Sequence, residues 1–289
     1  KFIKLNKKTY MLQIIRTLIN PIISRNLLIL NLLSIVRYYL GYPRYLFSLK
    51  FKKEYIGGYL LSDQEAGRKR QKIIKKVVNK IDKNFIKVLE IGVYCGQTTL
   101  NISKELKKNK KDFEITCLDI WDEFENTTNT NSFTHNKLVE VLKNSSVYNL
   151  FLHNLKVNNI LDKCRIIKKK SSDYLKTIDE KFDLIIIDGS HLYDEVISDL
   201  ENSKKIIENK GFIIGDDYEV KYQDLSNIDL KELCKKRLDV FYDKHTKIRF
   251  HPGVTLAVFN IFGNINVING LFCVQKDEKN YIDYSEKIK

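Results

Sequence analysis

Three aspartates in the second half of the chain have the types and the spacing to hold a cation. Asp188 follows one apolar run, and Asp216 and Asp217 follow the next one. If the two runs are neighbouring strands, three carboxylates meet at one edge of a sheet, and their like charges repel unless a proton or a cation intervenes. Hard oxygen ligands favour Mg²⁺, Mn²⁺ or Ca²⁺. The pattern therefore indicates a divalent-cation site; the alternative is that Asp217 caps the next segment and that no metal binds.

A histidine close to these aspartates could act as a base. His191 lies three residues after Asp188, at the predicted start of a helix. Imidazole titrates near neutral pH, so a histidine at a cleft suits a general base, while the alternative is a hydrogen bond to a neighbouring loop. The other histidines have no comparable setting, and we expect them to be structural or exposed: His135, His153, His245 and His251.

A glycine turn in the first half of the chain could bind a ligand through its backbone. An apolar run ends at Ile91, Gly92 and Gly96 follow, and a helix-like segment begins at Gln97. Glycine lacks the Cβ atom that blocks close approach, and the first N–H groups of a helix are unpaired. This geometry lets a ligand touch backbone, although many α/β proteins turn in this way for structural reasons alone.

Alternating apolar runs and helix-like segments place these residues on a parallel sheet. The predicted strands are 86–91, 113–118, 164–168, 182–187 and 211–215. The predicted helices after them are 97–108, 135–143, 147–159, a short one near Asp173, 192–208, 228–239 and 253–262. A hairpin of Ile265–Ile268 and Leu271–Gln275 around Asn269-Gly270 follows. The predicted fold class is α/β, a doubly wound, mostly parallel, seven-stranded sheet that ends in an antiparallel hairpin, with a helical N-terminal extension.

Ligands of such sheets bind outside the carboxyl ends of the strands, so the residues there are site candidates. After the second strand, Asp119 could accept hydrogen bonds from the two hydroxyls of a ribose, or cap a loop. Trp121 could cover an adenine face or plug the edge of the core. Ser171 and Ser172 follow the third strand. All five strand ends thus carry polar or glycine residues.

The positive charge of the chain is concentrated at its beginning. The formal net charge is +14, yet residues 1–85 hold 19 Lys and Arg against 4 Asp and Glu, and residues 1–53 hold no acid. The rest is close to neutral, which argues against nucleic-acid binding because phosphate contact needs clustered Lys and Arg. We expect a basic, apolar helical arm over 1–58 and a main domain over 59–289, in which the charged segment 219–250 is an inserted cap.

Three helices are predicted before the first strand. The first two lie over Thr9–Leu18 and 20–41, and Gly41 and Pro43 are expected to stop the second. The third lies over 62–84 and is expected to pack beside the sheet. Its inner face consists of Ile73, Ile74, Val77, Val78 and Ile81.

The arm allows three interpretations. Its longest uncharged stretch, Asn26–Val36, is too short to cross a bilayer, so a helix in the membrane surface, with contact through residues 1–53, fits better than a spanning helix. The third interpretation is packing on the main domain or on a second subunit of a homo-oligomer.

The cysteines indicate a reducing compartment. Their number is odd, no C-x-x-C pair is present, and several lie in apolar runs: Cys95, Cys117, Cys164, Cys234 and Cys273. We therefore expect reduced thiols in the core of an intracellular, cytoplasmic protein, which is peripheral at a membrane if the arm binds one. No structural zinc site is indicated.

The motifs resemble those of class I S-adenosylmethionine-dependent methyltransferases. Val88–Gly96 is similar to the first motif of that family, and Leu118–Trp121 is similar to its acidic second motif. Later segments resemble the branch that methylates hydroxyls of small molecules and sugars: 182–193 with its D-G-S-H, Asp199-Leu200, 210–218 with its G-D-D, and 251–254. The resemblance covers residues 60–276.

The resemblance implies a role for each of these positions. It implies cofactor binding by Glu90, Gly92 and Gly96 at the methionine part, Asp119 at the ribose, Ser171 and Ser172 near the adenine, and Tyr94, Trp121 and Asp188 beside them. It implies Mg²⁺ or another divalent cation on Asp188, Asp216 and Asp217. His191 would be the base, so that His191 and Asp188 are the implied catalytic residues.

The implied reaction is methylation of a hydroxyl on a sugar, a glycan or another small molecule. The hydroxyl binds the cation, His191 removes its proton, and the oxygen attacks the methyl group in line. The segment 219–250 and the loop 122–134 are expected to shape the substrate pocket. An alternative is a membrane-associated binding or scaffold protein whose methyltransferase-like domain is inactive. A nicotinamide enzyme fits less well because the turn lacks G-x-G-x-x-G.

Overall fold

The computed structural model describes residues 27–56, 64–122, 140–225, 228–245 and 247–288. The predicted helix over Thr9–Leu18, the start of the predicted helix over 20–41, and nearly all of the loop 122–134 lie outside these described residues. Every residue with a predicted site role lies within them.

One large sheet carries the fold, and the predicted fold class is confirmed. The strands of the described residues are β1 Phe85–Ile91, β2 Asp112–Asp119, β3 Cys164–Lys168, β4 Phe182–Ile187, β5 Ile207–Gly215, β6 Phe241–Tyr242, β7 Arg249–Phe250, β8 Phe272–Asp277 and β9 Asn280–Asp283. Their order in the seven-stranded sheet is β3-β2-β1-β4-β5-β8-β9. Strands β1 to β5 run parallel, β8 runs antiparallel to β5, and β9 runs antiparallel to β8.

Helices pack on both faces of this sheet. In the described residues they are α1 Leu27–Lys50, α2 Gln64–Val78, α3 Gln97–Lys108, α4 Ser146–Val157, α5 Ser171–Tyr174, α6 Tyr193–Ile206, α7 Leu230–Lys235 and α8 Pro252–Phe262. Successive side chains of a strand point to opposite faces, so Val88 of β1 joins the core with α2, α3 and α4, whereas Leu89 joins the core with α6 and α8. All six residues of β4 are buried, as expected for the centre of a parallel sheet.

Helix α2 packs with the face that the sequence predicts. Ile73, Ile74, Val77 and Val78 are buried, and Ile81 is buried just after the helix ends. The helix ends at Val78 and not at 84, because the chain turns at Asn79 to begin the approach to β1. This packing fixes the position of Arg70, one turn before Ile73, over the sheet edge.

Helix α1 continues beyond its expected end. The predicted stop at Gly41 and Pro43 is wrong, because the helix runs through both residues to Lys50. A proline removes one helix hydrogen bond, and inner contacts offset that loss: the Tyr55 hydroxyl donates to the Gly41 carbonyl at 3.1 Å, and the Tyr45 ring packs edge-on against Tyr55. Among the described helices, none combines the length and the apolar character that crossing a bilayer requires.

The closing antiparallel pair lies later in the chain than predicted. Asn269 and Gly270 do turn with positive φ, but in this region only Ile268 and Leu271 pair across the turn in the described residues. The strand predicted over Ile265–Ile268 is therefore wrong. The Asn266 backbone N–H instead donates to the Asp283 carboxylate at 2.8 Å, and β8 takes up the open edge of β5.

The segment 219–250 contains little regular structure. Helix α7 covers Leu230–Lys235, which is shorter than the predicted helix over 228–239, and β6 and β7 form a small antiparallel pair. Val220, Leu225, Leu230 and Phe250 form an apolar cluster of their own. The segment is therefore anchored by its own small core beside the carboxyl edge of the sheet.

Candidate functional site

Three neighbouring strand ends bring the predicted residues to one edge. The Asp188 N–H donates to the Ile91 carbonyl at the end of β1, at 2.8 Å, and the Asp216 N–H donates to the Ile187 carbonyl at the end of β4, at 2.9 Å. Strands β4 and β5 pair in parallel up to Ile187 and Gly215, so the prediction that they are neighbours is confirmed. The glycine turn and the three aspartates consequently share the carboxyl edge.

The glycine turn requires glycine at two positions. Gly92 has a φ of 82° and Gly96 a φ of 81°, in the left-handed region that side chains disfavour. A Cβ atom on Gly92 would lie 1.9 Å from the Asp188 carbonyl oxygen, and one on Gly96 would lie 2.7 Å from the Phe151 ring. Gly96 also precedes the first residue of α3. The turn is therefore a backbone cradle that touches the loop of Asp188 directly.

Asp119 holds this turn in place. Its Oδ2 accepts the N–H groups of Val93 and Tyr94, both at 2.8 Å, and its Oδ1 accepts the N–H of Trp121 at 2.7 Å. The loop-capping role considered from the sequence is thus present. A carboxylate has about four lone-pair positions, so these three bonds leave room for one further donor such as a ribose hydroxyl. The ribose role stays a prediction.

Trp121 is packed into the core in this structure. Its indole lies 5.0 Å from the rings of both Phe151 and Tyr148, and its N–H donates to the Tyr94 carbonyl at 2.9 Å. Only 1% of the residue is exposed. The side chain thus plugs the edge of the core, the second of its two predicted roles, and stiffens the glycine turn at Tyr94. Contact with an adenine stays a prediction.

Glu90 places a carboxyl beneath the glycine turn. It is 1% exposed, and its Oε2 accepts the Thr99 hydroxyl at 2.6 Å. Burial raises the pKa of Glu90 to about 8, against the smaller lowering by the Thr99 hydrogen bond. With its pKa at about 8, the group is mainly uncharged at neutral pH. A cationic ligand at the turn would favour its ionised form.

Ser171 and Ser172 begin the short helix α5, and both are half-buried. Near them, burial raises the pKa of Asp199 to about 7, and a hydrogen bond with Ser171 opposes that shift. Asp199 Oδ1 is a buried oxygen without a hydrogen-bond partner in the described structure. The predicted role of the two serines near an adenine is neither supported nor opposed by these contacts.

His191 is held between two carboxylates. Its Nε2 lies 2.8 Å from Asp217 Oδ2, and its Nδ1 lies 2.7 Å from Asp239 Oδ1. Burial opposes a charged ring, but the hydrogen bonds to Asp217 and Asp239 raise the pKa of His191 well above its ordinary value. The ring is therefore an imidazolium in this arrangement, and both of its nitrogens donate.

The three predicted metal-ligand aspartates differ in charge state. Asp188 is recessed among protein atoms although its side chain reaches solvent; this desolvation and the nearby Asp216 and Asp217 raise its pKa well above the ordinary value. Burial and Asp217 raise the pKa of Asp216 to about 7. Burial would also raise the pKa of Asp217, but the hydrogen bond and charge of His191 lower it instead. Asp217 is thus the ionised partner of His191.

Arg70, in helix α2, extends its side chain to Asp216 and Asp217. Its Nη1 lies 2.7 Å from Asp216 Oδ2, and its Nη2 lies 3.4 Å from Asp217 Oδ1. Asp216 Oδ1 accepts the Asp217 N–H at 2.7 Å, and His191 takes Asp217 Oδ2. All four side-chain oxygens of Asp216 and Asp217 therefore already have donors. The carboxylates have the chemistry that Mg²⁺ prefers, but a cation bound to them would have to share their oxygens with Arg70 and His191.

Two other groups in the described residues have the spacing of metal ligands. His191, Asp239 and His251 form one, and Asp217, Glu219 and His251 form the other, with all ligand atoms of each group within 4.8 Å of one another. The trio of Asp188, Asp216 and Asp217 is not among these groups. Its metal-binding role stays a prediction.

Four residues of this cluster have no role predicted from the sequence. The expectation that His251 has no site setting is wrong: its ring centroid lies 4.3 Å from that of His191, and its Nδ1 lies 3.0 Å from Glu219 Oε1. Gly253 places it there, because a Cβ atom on Gly253 would lie 2.2 Å from the His191 carbonyl oxygen. The His251-Pro252-Gly253 motif was the available signal. Arg70, Glu219 and Asp239 carried no signal, since each lies in an ordinary charged segment.

A family model matches the part of the chain that contains most of this site. Residues 89–218 match a model described as a methyltransferase domain. The match begins within β1, before the glycine turn, and ends just after Asp217. No curated protein sequence matches the chain significantly.

Solved structures with similar architecture are methyltransferases of low identity. The O-methyltransferase NovP is 16% identical, with a TM-score of 0.47, over 73% of this chain and 80% of its own. An O-methyltransferase family protein from Burkholderia thailandensis is 8% identical, with a TM-score of 0.42, over 71% of this chain and 55% of its own. A SAM-dependent methyltransferase from Agrobacterium tumefaciens is 13% identical, with a TM-score of 0.39, over 60% and 50%. At these values the similarity concerns architecture alone.

Proposed function

We propose that this chain, whose residues 89–218 match a methyltransferase domain, is a class I S-adenosylmethionine-dependent methyltransferase that methylates a hydroxyl group of a sugar, a glycan or another small molecule. One observation supports the proposal most directly. The glycine turn after β1 contacts the backbone of the loop that follows β4. This loop contains both Asp188 and His191, and Asp216 and Asp217 follow the neighbouring strand β5. A methyl donor bound at the cradle would therefore lie beside a group able to handle a hydroxyl proton.

The residues of the cradle fit the proposed cofactor. Gly92 and Gly96 let the turn adopt positive φ and pack directly against the loop of Asp188 and the Phe151 ring, and the start of α3 adds unpaired N–H groups. Glu90 offers a buried carboxyl that a cationic amine could ionise. We propose that these residues and Asp119 hold S-adenosylmethionine, which supplies the methyl group when bound, with Tyr94, Ser171 and Ser172 beside it.

We assign proton removal to His191 Nε2. An imidazolium cannot accept a proton, so His191 has to give up the proton on Nε2 to solvent before it acts as a base. The Asp239 contact at Nδ1 orients the ring as the carboxylate of a catalytic triad does. Loss of the Nε2 proton breaks the hydrogen bond to Asp217 and leaves Nε2 as the accepting atom, and Asp217 keeps a cationic neighbour in Arg70, 3.4 Å away. Asp239 belongs to the segment 219–250, which supports the proposal that this segment shapes the substrate pocket.

A divalent cation is not part of this scheme. Mg²⁺ on Asp188, Asp216 and Asp217 was implied by resemblance, whereas Arg70 and His191 already engage these carboxylates. The positive charge that would polarise a hydroxyl is thus present without a metal.

Peripheral membrane contact through residues 1–53 is a further part of the proposal. Helix α1 turns apolar side chains outward: Val36, Leu40, Phe47 and Phe51 are 45–69% exposed. Arg44, Lys50, Lys52 and Lys53 lie among them, and residues 1–53 contain no acid. An apolar face with basic neighbours fits the surface of an anionic bilayer. The same face would serve the alternative function, a membrane-associated scaffold with an inactive domain.

Calorimetry and methyl transfer together test the function. We expect wild-type protein to bind S-adenosylmethionine, and to transfer labelled methyl groups to a member of a panel of sugar nucleotides, glycosides and catechols. His191→Ala should bind the cofactor as wild-type does and lose about 100-fold or more of the transfer rate, because a general base supplies about that factor. Absence of cofactor binding by the wild type would favour the scaffold; unchanged transfer by His191→Ala would eliminate His191 as the base.

A further inference from the structure

The positive charge nearest to Asp216 and Asp217, besides His191, comes from helix α2. Arg70 reaches both carboxylates, one with each terminal nitrogen, at 2.7 and 3.4 Å. Its side chain is 22% exposed, and those of Asp216 and Asp217 are 13% and 17% exposed. Ion pairs this shielded are screened much less than surface pairs. The guanidinium is therefore a built part of the cluster.

The surroundings of the guanidinium are fitted to it. Gly270, in the turn before β8, is so close that a Cβ atom there would lie 3.2 Å from Arg70 Nη2. The Gly270 carbonyl accepts the Tyr218 N–H at 2.9 Å, which ties this turn to the residue after Asp217. On the other side, the buried Ile73, Ile74 and Val77 anchor α2. Arg70 is thus packed between a fixed helix and a fixed turn.

A divalent cation and this guanidinium need the same oxygens. Hard cations bind carboxylate oxygen atoms, and the four of Asp216 and Asp217 accept from Arg70, from His191 and from the Asp217 backbone. A metal ion would also face the charge of Arg70 at close range, where two like charges repel strongly in a shielded site. Tight metal binding and the observed position of Arg70 therefore oppose each other, because a metal ion would share engaged oxygens and face a like charge.

We propose that Arg70 is the resident cation of this carboxylate cluster and takes the place that the resemblance assigns to a divalent metal ion. The inference rests on the proposed function, in that the cluster lies at the site of methyl transfer. Arg70 then determines which cation occupies the carboxylate cluster. In the wild-type chain this cation is the guanidinium of Arg70, and a metal ion can bind the carboxylates when the guanidinium is removed.

Binding of Mn²⁺, followed by electron paramagnetic resonance of the free ion, tests the proposal without an acceptor substrate. We expect weak binding by wild-type protein and binding that is tighter by about tenfold or more for Arg70→Gln, since the substitution frees two carboxylates and removes a like charge. The matched control is Arg165→Gln. Arg165, in β3, also forms an ion pair with a carboxylate, that of Glu180, but at the opposite edge of the sheet. We expect Arg165→Gln to bind Mn²⁺ as the wild type does.

Tight Mn²⁺ binding by the wild type, or no gain in Arg70→Gln, would overturn the proposal. If Arg70→Gln does not fold, wild-type methyl transfer in EDTA decides: we expect the rate to persist, and a loss of more than about tenfold that Mg²⁺ restores would refute the inference. Failure of the wild type to bind S-adenosylmethionine would contradict the proposed function and leave the Mn²⁺ result interpretable on its own.

Discussion

Glu90 is a buried carboxyl with no ion pair among the described residues, so its charge state responds to a cationic ligand. Thr99 gives it one hydrogen bond, which offsets only part of the cost of burying a charge. A ligand that brings a positive group to the glycine turn supplies the missing compensation. The residue therefore links the charge of the ligand to the protonation of the protein.

Glu90→Gln should change how stability depends on pH. The pKa of Glu90 is raised from 4.5 in the unfolded chain to about 8 in the folded protein. A raised pKa means that the contribution to stability is complete below the unfolded pKa and is lost as the pH rises through the folded pKa. Between these values we expect wild type to lose up to about 1.4 kcal/mol per pH unit relative to Glu90→Gln.

Urea unfolding of both proteins at about pH 5 and about pH 8 measures this difference. The glutamine keeps the size of the side chain, and because the same other groups titrate in both proteins, the comparison isolates Glu90. Identical pH dependence of the two unfolding free energies would mean that Glu90 is ionised in the folded protein.

At the scale of the elements, strand ends and helix starts carry the site, and most of them could be predicted. The apolar run that ends at Asp188 and Gly189 predicted β4 to the residue, because a central parallel strand is buried on both faces and leaves a continuous pattern. Strand β3 was also predicted to the residue, although it is a half-buried edge strand. The second strand of the predicted hairpin was recovered in part as β8. Strand β9 was not, since its four residues are too few to give a periodic apolar signal.

The contacts between elements could not be predicted in the same way. Arg70 meets Asp216 across 146 residues, and Asp239 meets His191 across 48. Charged residues on a helix face or in an irregular segment are most often solvated, so nothing local distinguishes these two. Only the packing of α2 and of the segment 219–250 against the sheet selects them.

Alanine at Gly92 should destabilise the protein far more than alanine at Gly263. Both glycines have positive φ, at 82° and 77°, and Gly263, with a ψ of −148°, lies in a region that essentially only glycine adopts, so alanine there carries a backbone cost of about 1–3 kcal/mol. A Cβ atom on Gly263 has nothing within 4 Å, whereas one on Gly92 would lie 1.9 Å from a backbone oxygen. We expect Gly92→Ala to cost at least about 3 kcal/mol, since β1 or the loop of Asp188 has to move.

Urea unfolding of the two variants gives both values, with Gly263→Ala as the control for backbone strain alone. Equal losses would show that the contact between the glycine turn and the loop of Asp188 is loose, and would weaken the argument that joins the two halves of the site.

For the whole molecule, charge and apolar surface are segregated. Residues 1–58 carry +10 of the formal net charge of +14, and the outward face of α1 carries several of the exposed large apolar side chains of the described residues. Residues 59–289 carry the remaining +4 and place Asp188, Asp216 and Asp217 at one edge of the sheet. A protein built in this way can be held at a surface by one end while its site remains open to solvent.

Leu40→Glu with Phe47→Glu should abolish binding to anionic vesicles. Wild-type protein is expected to sediment with phosphatidylserine-containing vesicles and to stay in the supernatant with purely zwitterionic ones, because basic residues need anionic lipid. The double variant should stay in the supernatant with both, since acids on the apolar face oppose insertion. Tyr242→Glu is the matched control, an exposed aromatic position far along the chain, in β6.

Sedimentation velocity of the same proteins distinguishes membrane binding by α1 from dimerisation through α1. A dimer in wild type that becomes a monomer in the double variant, with no vesicle binding by either, would assign the face of α1 to a second copy of the chain and remove the membrane from the proposal.

The hydrogen bond between Asp239 and His191 has a consequence for how an acceptor substrate enters the proposed site. One carboxylate on the ring comes from the rigid sheet edge and the other from a segment with its own small core. Any shift of that segment that admits an acceptor also moves Asp239, the carboxylate that orients the ring at Nδ1 in the proposed mechanism. Entry of the acceptor and orientation of the imidazole are then coupled, so that selectivity for the acceptor and the position of Nε2 cannot be tuned independently.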